Sequence, residues 1–205
     1  MPIIELLKDP KSLFLWFLAL LIAITAHEFS HAWAAYKLGD STAKNAGRMS
    51  LNPLVHLDPL GTLMIFLVRF GWGKPVPVNP NNFKDPRIGN AIVSIAGALA
   101  NFFIASIFSI VYYFLGQEGT LFSNFLLIVI ILNIILAVFN LIPIPPLDGS
   151  KVLYAFLPPT FNWRQFEIMG PFVIILLFFS GILSLILGPV VNFILRILGI
   201  NLALF

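Results

Sequence analysis

Long apolar runs alternate with short polar stretches along this chain, and the lengths of the runs predict the elements. Residues 12–35 form the first run. It exceeds the ~7–15 residue core of a signal peptide and leads straight into ionisable positions, so it predicts a transmembrane helix. A polar, loop-like stretch follows over residues 37–57, then a short apolar one over 60–70. The next segment, Gly71-Trp-Gly-Lys-Pro-Val-Pro-Val-Asn-Pro80, holds too many prolines and glycines for a regular helix. Apolar runs then cover residues 88–115, 121–142 and 171–187, each long enough to span a bilayer, with a weaker run over 190–205 that contains Arg196. Residues 116–120 read as a tight turn and 143–167 as a longer amphipathic connection. The chain shows no internal repeat and no low-complexity tract. The pattern predicts an all-α polytopic membrane protein, one membrane-embedded domain over residues 1–205, with a short re-entrant extended loop between the first two long spans.

Composition strengthens this reading. Hydrophobic residues make up 59% of the 205 positions and charged residues 10%, outside the usual range of a soluble domain. The net charge of +3 comes from 12 Lys and Arg against 9 Asp and Glu without any basic run, so it signals orientation and excludes a nucleic-acid partner. Lys37, Lys44, Arg48, Arg69, Lys74, Lys84 and Arg87 lie between the first two long spans, and Lys151 and Arg164 follow the third. The turn at 116–120 carries no basic residue. By the positive-inside rule both basic connections face the cytoplasm and the N-terminus faces out, despite Lys8 and Lys11, which predicts a multi-pass protein of the cell membrane. With no cysteine, any metal must be held by His, Asp or Glu.

The candidate chemistry is concentrated at the end of the first run. His27-Glu28-Phe29-Ser30-His31 sets two imidazoles four residues apart, on one face of a helix, where both reach one metal ion with Glu28 beside it as a general base. Ionisable groups at membrane depth are costly and mark a functional site by default. A catalytic zinc site normally takes three protein ligands. His56 is one candidate for the third. Asp148 is the stronger, because it follows an apolar span directly and Pro143, Pro145 and Pro146 unwind the chain before it. Gly149 would let the backbone pass close to the metal. For the C-terminal ends of two spans to meet, the spans must run parallel with an odd number of crossings between them. The run at 88–115 already supplies one, so residues 60–70 are expected not to cross.

His-Glu-x-x-His in one span, joined with Asn140-Leu-Ile-Pro-Ile-Pro-Pro-Leu-Asp148-Gly149 after a later one, resembles the site-2 protease family of intramembrane metalloproteases. The resemblance covers roughly residues 12–150 and implies a three-span catalytic core, with one or two further spans within about 170–205. It implies that His27, His31 and Asp148 hold one Zn2+ per chain, that Glu28 is the catalytic acid and base, and that Asn140 assists near the reacting carbonyl. Gly97-Ala-Leu-Ala-Asn101 resembles the family's Gly-x-x-x-Asn element, a pattern that ordinary small-residue helix packing also produces. Leu51-Asn-Pro-Leu-Val-His56-Leu-Asp58-Pro59 resembles a compact subgroup lacking a PDZ domain, so substrate selection must rest on the core or on a separate regulatory protein. His56 is assigned either an oxyanion or supporting catalytic role, or that of a hydrogen-bonded loop histidine.

The expected reaction is hydrolysis of peptide bonds within or near transmembrane segments of a membrane-protein substrate, with the active site nearer the cytoplasmic face. Such a substrate must be locally extended first. In the 72–80 segment Pro75 and Pro77 remove donors from one edge while Val76 and Val78 offer theirs on the other, which predicts a strand suited to adding an unwound substrate. Competing readings are a membrane metal transporter, a non-haem iron oxygenase with the same two-His, one-carboxylate ligands, and a catalytically silent membrane adaptor. The first predicts an inverted repeat that is not present, and the other two leave Glu28 without a purpose.

Overall fold

The computed structural model describes residues 9–68, 71–116 and 119–201, the side chains of residues 65–68 excepted. Among them the chain forms eight α-helices: α1 (Pro10–Lys37), α2 (Thr42–Asn45), α3 (Pro59–Val68), α4 (Pro86–Leu115), α5 (Leu121–Asn140), α6 (Asp148–Phe156), α7 (Trp163–Phe179) and α8 (Ile182–Ile197). No β-strand occurs among the described residues beyond an isolated bridge between Leu57 and Gly73. The expected ends of the short apolar stretch at 69–70, the tip of the turn at 117–118 and the last positions, 202–205, lie outside the described residues.

The long helices start on local signals. Asp9 accepts the Ser12 amide at 3.1 Å, and Asp85 accepts those of Arg87 and Ile88 at 2.9 and 3.0 Å. Each is followed by a proline, whose missing N–H costs nothing in a first turn. Thr120 caps α5 in the same way through the Ser123 amide. α5 stops at Asn140, ahead of the three prolines. With 28, 30 and 20 residues, α1, α4 and α5 are the helices long and apolar enough to cross a membrane. α3 has ten residues, about 15 Å of rise, and falls well short.

α4 is central and packs against α1, α5 and α6. Small residues mark its close approach to α1: Ala23 on α1 is fully buried and its carbonyl is reached by Asn101 of α4, and Gly97 of α4 lies against the α1 histidines. Further out, Ile130 and Ile134 of α5 pack with Val191 and Leu195 of α8, and the Ser109 hydroxyl donates to the Leu198 carbonyl at 2.6 Å. Phe14, Leu99, Phe103 and Phe114 remain exposed on the long helices, as a lipid-facing surface requires.

The fourth long run, 171–187, is not one straight span. α7 begins earlier, where Asn162 accepts the Gln165 amide at 3.1 Å, and carries Pro171 in its interior. The helix then ends at Ser180, and Gly181 takes φ +75°, a left-handed conformation that glycine adopts without strain. α7 and α8 meet there at 80°. The described chain thus has three candidate spans, or four with the bent pair counted as one.

Candidate metal centre

His27 and His31 lie on the face of α1 that meets α4, both buried. Each ring is fixed from behind. Asn101 on α4 donates its amide to the Ala23 carbonyl at 2.9 Å and to Asn133 Oδ1 at 2.8 Å, so its own Oδ1, 2.7 Å from His27 Nδ1, can only accept. His27 therefore carries its proton on Nδ1. His31 Nδ1 in turn donates to the Val93 carbonyl at 2.7 Å. Both rings then present a bare Nε2 lone pair to the same point.

Asp148, the first residue of α6, completes the convergence. Its Oδ2 lies 3.1 Å from His27 Nε2 and 2.9 Å from His31 Nε2. The three ligand atoms lie within 4.8 Å of one another, and all three residues are buried. Two nitrogen lone pairs and a carboxylate oxygen facing one another, with both ring protons engaged elsewhere, form an arrangement that a cation resolves, and the donor set fits zinc. Lys151, one turn along α6, donates to Asp148 Oδ1 at 3.2 Å and occupies the second carboxylate oxygen.

Gly97 explains why the two imidazoles, set edge to face at 88°, can come so close to α4. A Cβ there would sit 2.6 Å from His31 Nε2 and 2.7 Å from His27 Cε1, closer than real contacts allow. The Gly97–Asn101 pair is thus part of the metal centre as well as a packing element: one residue makes room for the rings and the other orients one of them. Asn133 on α5 was not singled out in the sequence. It is fully buried, and it anchors Asn101 while donating its own amide to Val129 O at 2.8 Å. The signal for it was one amide in the middle of the otherwise apolar stretch 125–139, where an unpaired polar group is costly.

The remaining expected site residues are placed differently. Glu28 is half-buried beside the ligands, and its Oε2 accepts the Val76 amide at 3.1 Å. That amide was expected to face a substrate strand, but it is engaged by the chain's own carboxylate. Asn140 caps its own helix, donating to the Leu136 carbonyl at 3.0 Å. His56 is fully buried, stands outside the ligand group and bonds through Nε2 to the Ser50 carbonyl at 2.7 Å. Gly149 is required for a different reason from the one expected: a Cβ there would meet the Leu141 and Ile142 carbonyls at 2.2 and 2.6 Å, so the tight approach is to the end of α5.

Asn101→Leu should test the orienting network, since it removes the acceptor for His27 Nδ1 at nearly constant volume. Zinc affinity, measured by chelator competition, is expected to fall about 10–100-fold, the usual loss for a partner of a metal-bound histidine. An unchanged affinity would show that Asn101 only packs the helices.

Residues 117–180, which include Asn140 and Asp148 and exclude His27 and His31, match the profile of peptidase family M50. YwhC of Bacillus subtilis, named as a proposed zinc metalloprotease, is 40% identical over 185 residues, covering 85% of this chain and 84% of YwhC. Rip2 of Mycolicibacterium smegmatis, named in the same terms, is 30% identical over 145 residues, 68% of this chain and 56% of Rip2. A zinc metalloprotease of Methanocaldococcus jannaschii is 26% identical over 149 residues, 73% of this chain and 36% of that protein. No solved structure matches the chain.

Proposed function

Because the chain belongs to peptidase family M50, the site-2 protease family of zinc metalloproteases, we propose that it hydrolyses peptide bonds within or near transmembrane segments of membrane-protein substrates. The observation that carries this reading is the position of the His27, His31 and Asp148 group, buried among helices of which α1, α4 and α5 are each long and apolar enough to cross a bilayer.

His27, His31 and Asp148 would hold zinc, which would supply a Lewis acid for the scissile carbonyl and ease loss of a proton from water near neutral pH. The chain's own residues do the rest. Glu28 takes the proton of the attacking water and later delivers it to the leaving nitrogen, so no covalent intermediate is needed. Asn101 and the Val93 carbonyl keep both imidazoles in the tautomer that leaves Nε2 free. Asn140, at the end of α5, is proposed to assist near the reacting carbonyl once a substrate releases its amide from Leu136.

The basic residues of the 37–87 connection and Lys151 support an active site nearer the cytoplasmic face. Among them Lys84, Arg87 and Lys151 line a cavity of about 650 Å³ together with Tyr154, Trp163 and Glu167. The direct test is reconstitution with a single-span substrate in proteoliposomes, followed by mass spectrometry of the products. Cuts in or beside the apolar segment are expected. Cleavage confined to soluble regions remote from the bilayer would overturn the intramembrane reading.

A further inference from the structure

The polar stretch Gly47-Arg-Met-Ser-Leu-Asn-Pro-Leu-Val-His-Leu57 supplies no metal ligand, yet it is folded against the segment that crosses the site. Arg48 is only 6% exposed and has no ion-pair partner among the described residues. Burying a guanidinium without a counter-charge is expensive, so its hydrogen bonds must be informative. They go to two consecutive backbone carbonyls: Nη2 donates to Lys74 O, and Nη1 to Pro75 O at 3.1 Å.

The same segment is held at further points. The Lys74 amide donates to the His56 carbonyl at 2.8 Å, and Gly73 pairs with Leu57. Further along, the Asn79 amide donates to Asp40 Oδ2 at 2.8 Å. Between these anchors lies one amide aimed at the reacting groups, that of Val76, which donates to Glu28 Oε2. Pro75 and Pro77 on either side add stiffness and offer no competing donors.

We infer that Arg48 is a positioning residue for the hydrolysis: by clamping the Lys74 and Pro75 carbonyls it fixes the Val76 N–H against Glu28, so that one carboxylate oxygen is held and the other is left for the attacking water. This inference rests on Glu28 as the proton carrier proposed above. It gives His56 a part through its backbone carbonyl, and it accounts for a tightly folded stretch that the ligand set leaves unexplained. A carboxylate held by one fixed donor keeps a single orientation, which is what proton transfer over hydrogen-bond distance demands.

The test uses the full chain reconstituted with a single-span substrate, with kcat, KM and zinc content measured for each form. Arg48→Gln removes the clamp. Replacing the residue-76 amide by an ester, through incorporation of the α-hydroxy analogue of valine, removes the donor and leaves the side chain in place. Each change should lower kcat about ten- to a hundredfold, the range carried by a hydrogen bond to a charged group, with KM within about twofold and zinc unchanged. Combined, they should cost no more than the larger single loss, because both break one linkage. Losses that multiply, a change confined to KM, or wild-type kcat in the ester form would overturn the inference. The ester form decides the matter alone should Arg48→Gln fail to fold. An active Glu28→Gln chain would instead remove Glu28 as the proton carrier on which the inference stands.

Discussion

Glu28→Gln is expected to abolish peptide-bond cleavage while the protein keeps about one zinc ion per chain. The two effects separate because Glu28 lies outside the ligand group of His27, His31 and Asp148. Glutamine retains a carbonyl oxygen that can accept the Val76 amide, so the local fold has no reason to change. What it loses is the ability to take a proton. General acid–base groups contribute roughly 10²–10⁴ in rate, and a fall in that range is expected for kcat in the reconstituted assay. Asp148→Ala should behave differently, losing zinc and activity together, because it leaves an incomplete coordination shell. Metal analysis run beside the kinetic assay distinguishes the two. A Gln variant that cleaves at the wild-type rate would remove Glu28 from the mechanism, and one that loses its zinc would make Glu28 part of the coordination shell.

The second large effect is expected from the smallest substitution. Gly97→Ala improves helix propensity, worth up to about 1 kcal/mol in an exposed helix interior, and places a methyl group where both imidazoles lie. The rings cannot step aside freely, since His27 is held by Asn101 and His31 by the Val93 carbonyl at 2.7 Å each. Either those hydrogen bonds break or α4 withdraws from α1. Both outcomes spoil the convergence on Asp148. The variant should fold, retain its thermal stability when stripped of metal, and bind zinc at least ten- to a hundredfold more weakly, by analogy with the loss of a ligand-orienting partner. Activity should fall with occupancy. Wild-type zinc affinity in the alanine form would mean that the imidazoles do not rest on α4 as described.

What was legible in the sequence follows from how local each feature is. The histidine pair could be read at once, because four-residue spacing on a helix fixes the geometry without reference to anything else. Asp148 could be read because the proline cluster before it ends a helix by backbone chemistry alone. The three long helices announced themselves by length. Asn101 was half legible: its spacing from Gly97 was visible, but that the pair accommodates and orients the histidines depends on a contact 74 residues away along the chain. Asn133 and Arg48 reach partners 32 and 26–27 positions away, which no spacing rule in the sequence encodes. The break at Ser180–Gly181 had a visible signal that apolar content overrode, since hydropathy is blind to a single left-handed residue. The Val76 amide was read as a donor offered to a substrate strand, whereas it donates to Glu28 Oε2. That acceptor could not be read, because the segment folds back onto α1 by hydrogen bonds that pattern alone does not encode.

The 121 positions separating His27 from Asp148 also impose an order on the birth of the enzyme. α1 is made before α4 and α6, so its two imidazoles and its glutamate precede their partners in the chain. At that stage it lacks the partner of His27 on α4 and the third ligand at the start of α6. Only after the third long helix has been made and the chain has turned back through its prolines does the carboxylate arrive. A nascent or truncated chain therefore carries the signature motif without a finished coordination shell. Completion of the three-residue group therefore waits on completion of the helical core.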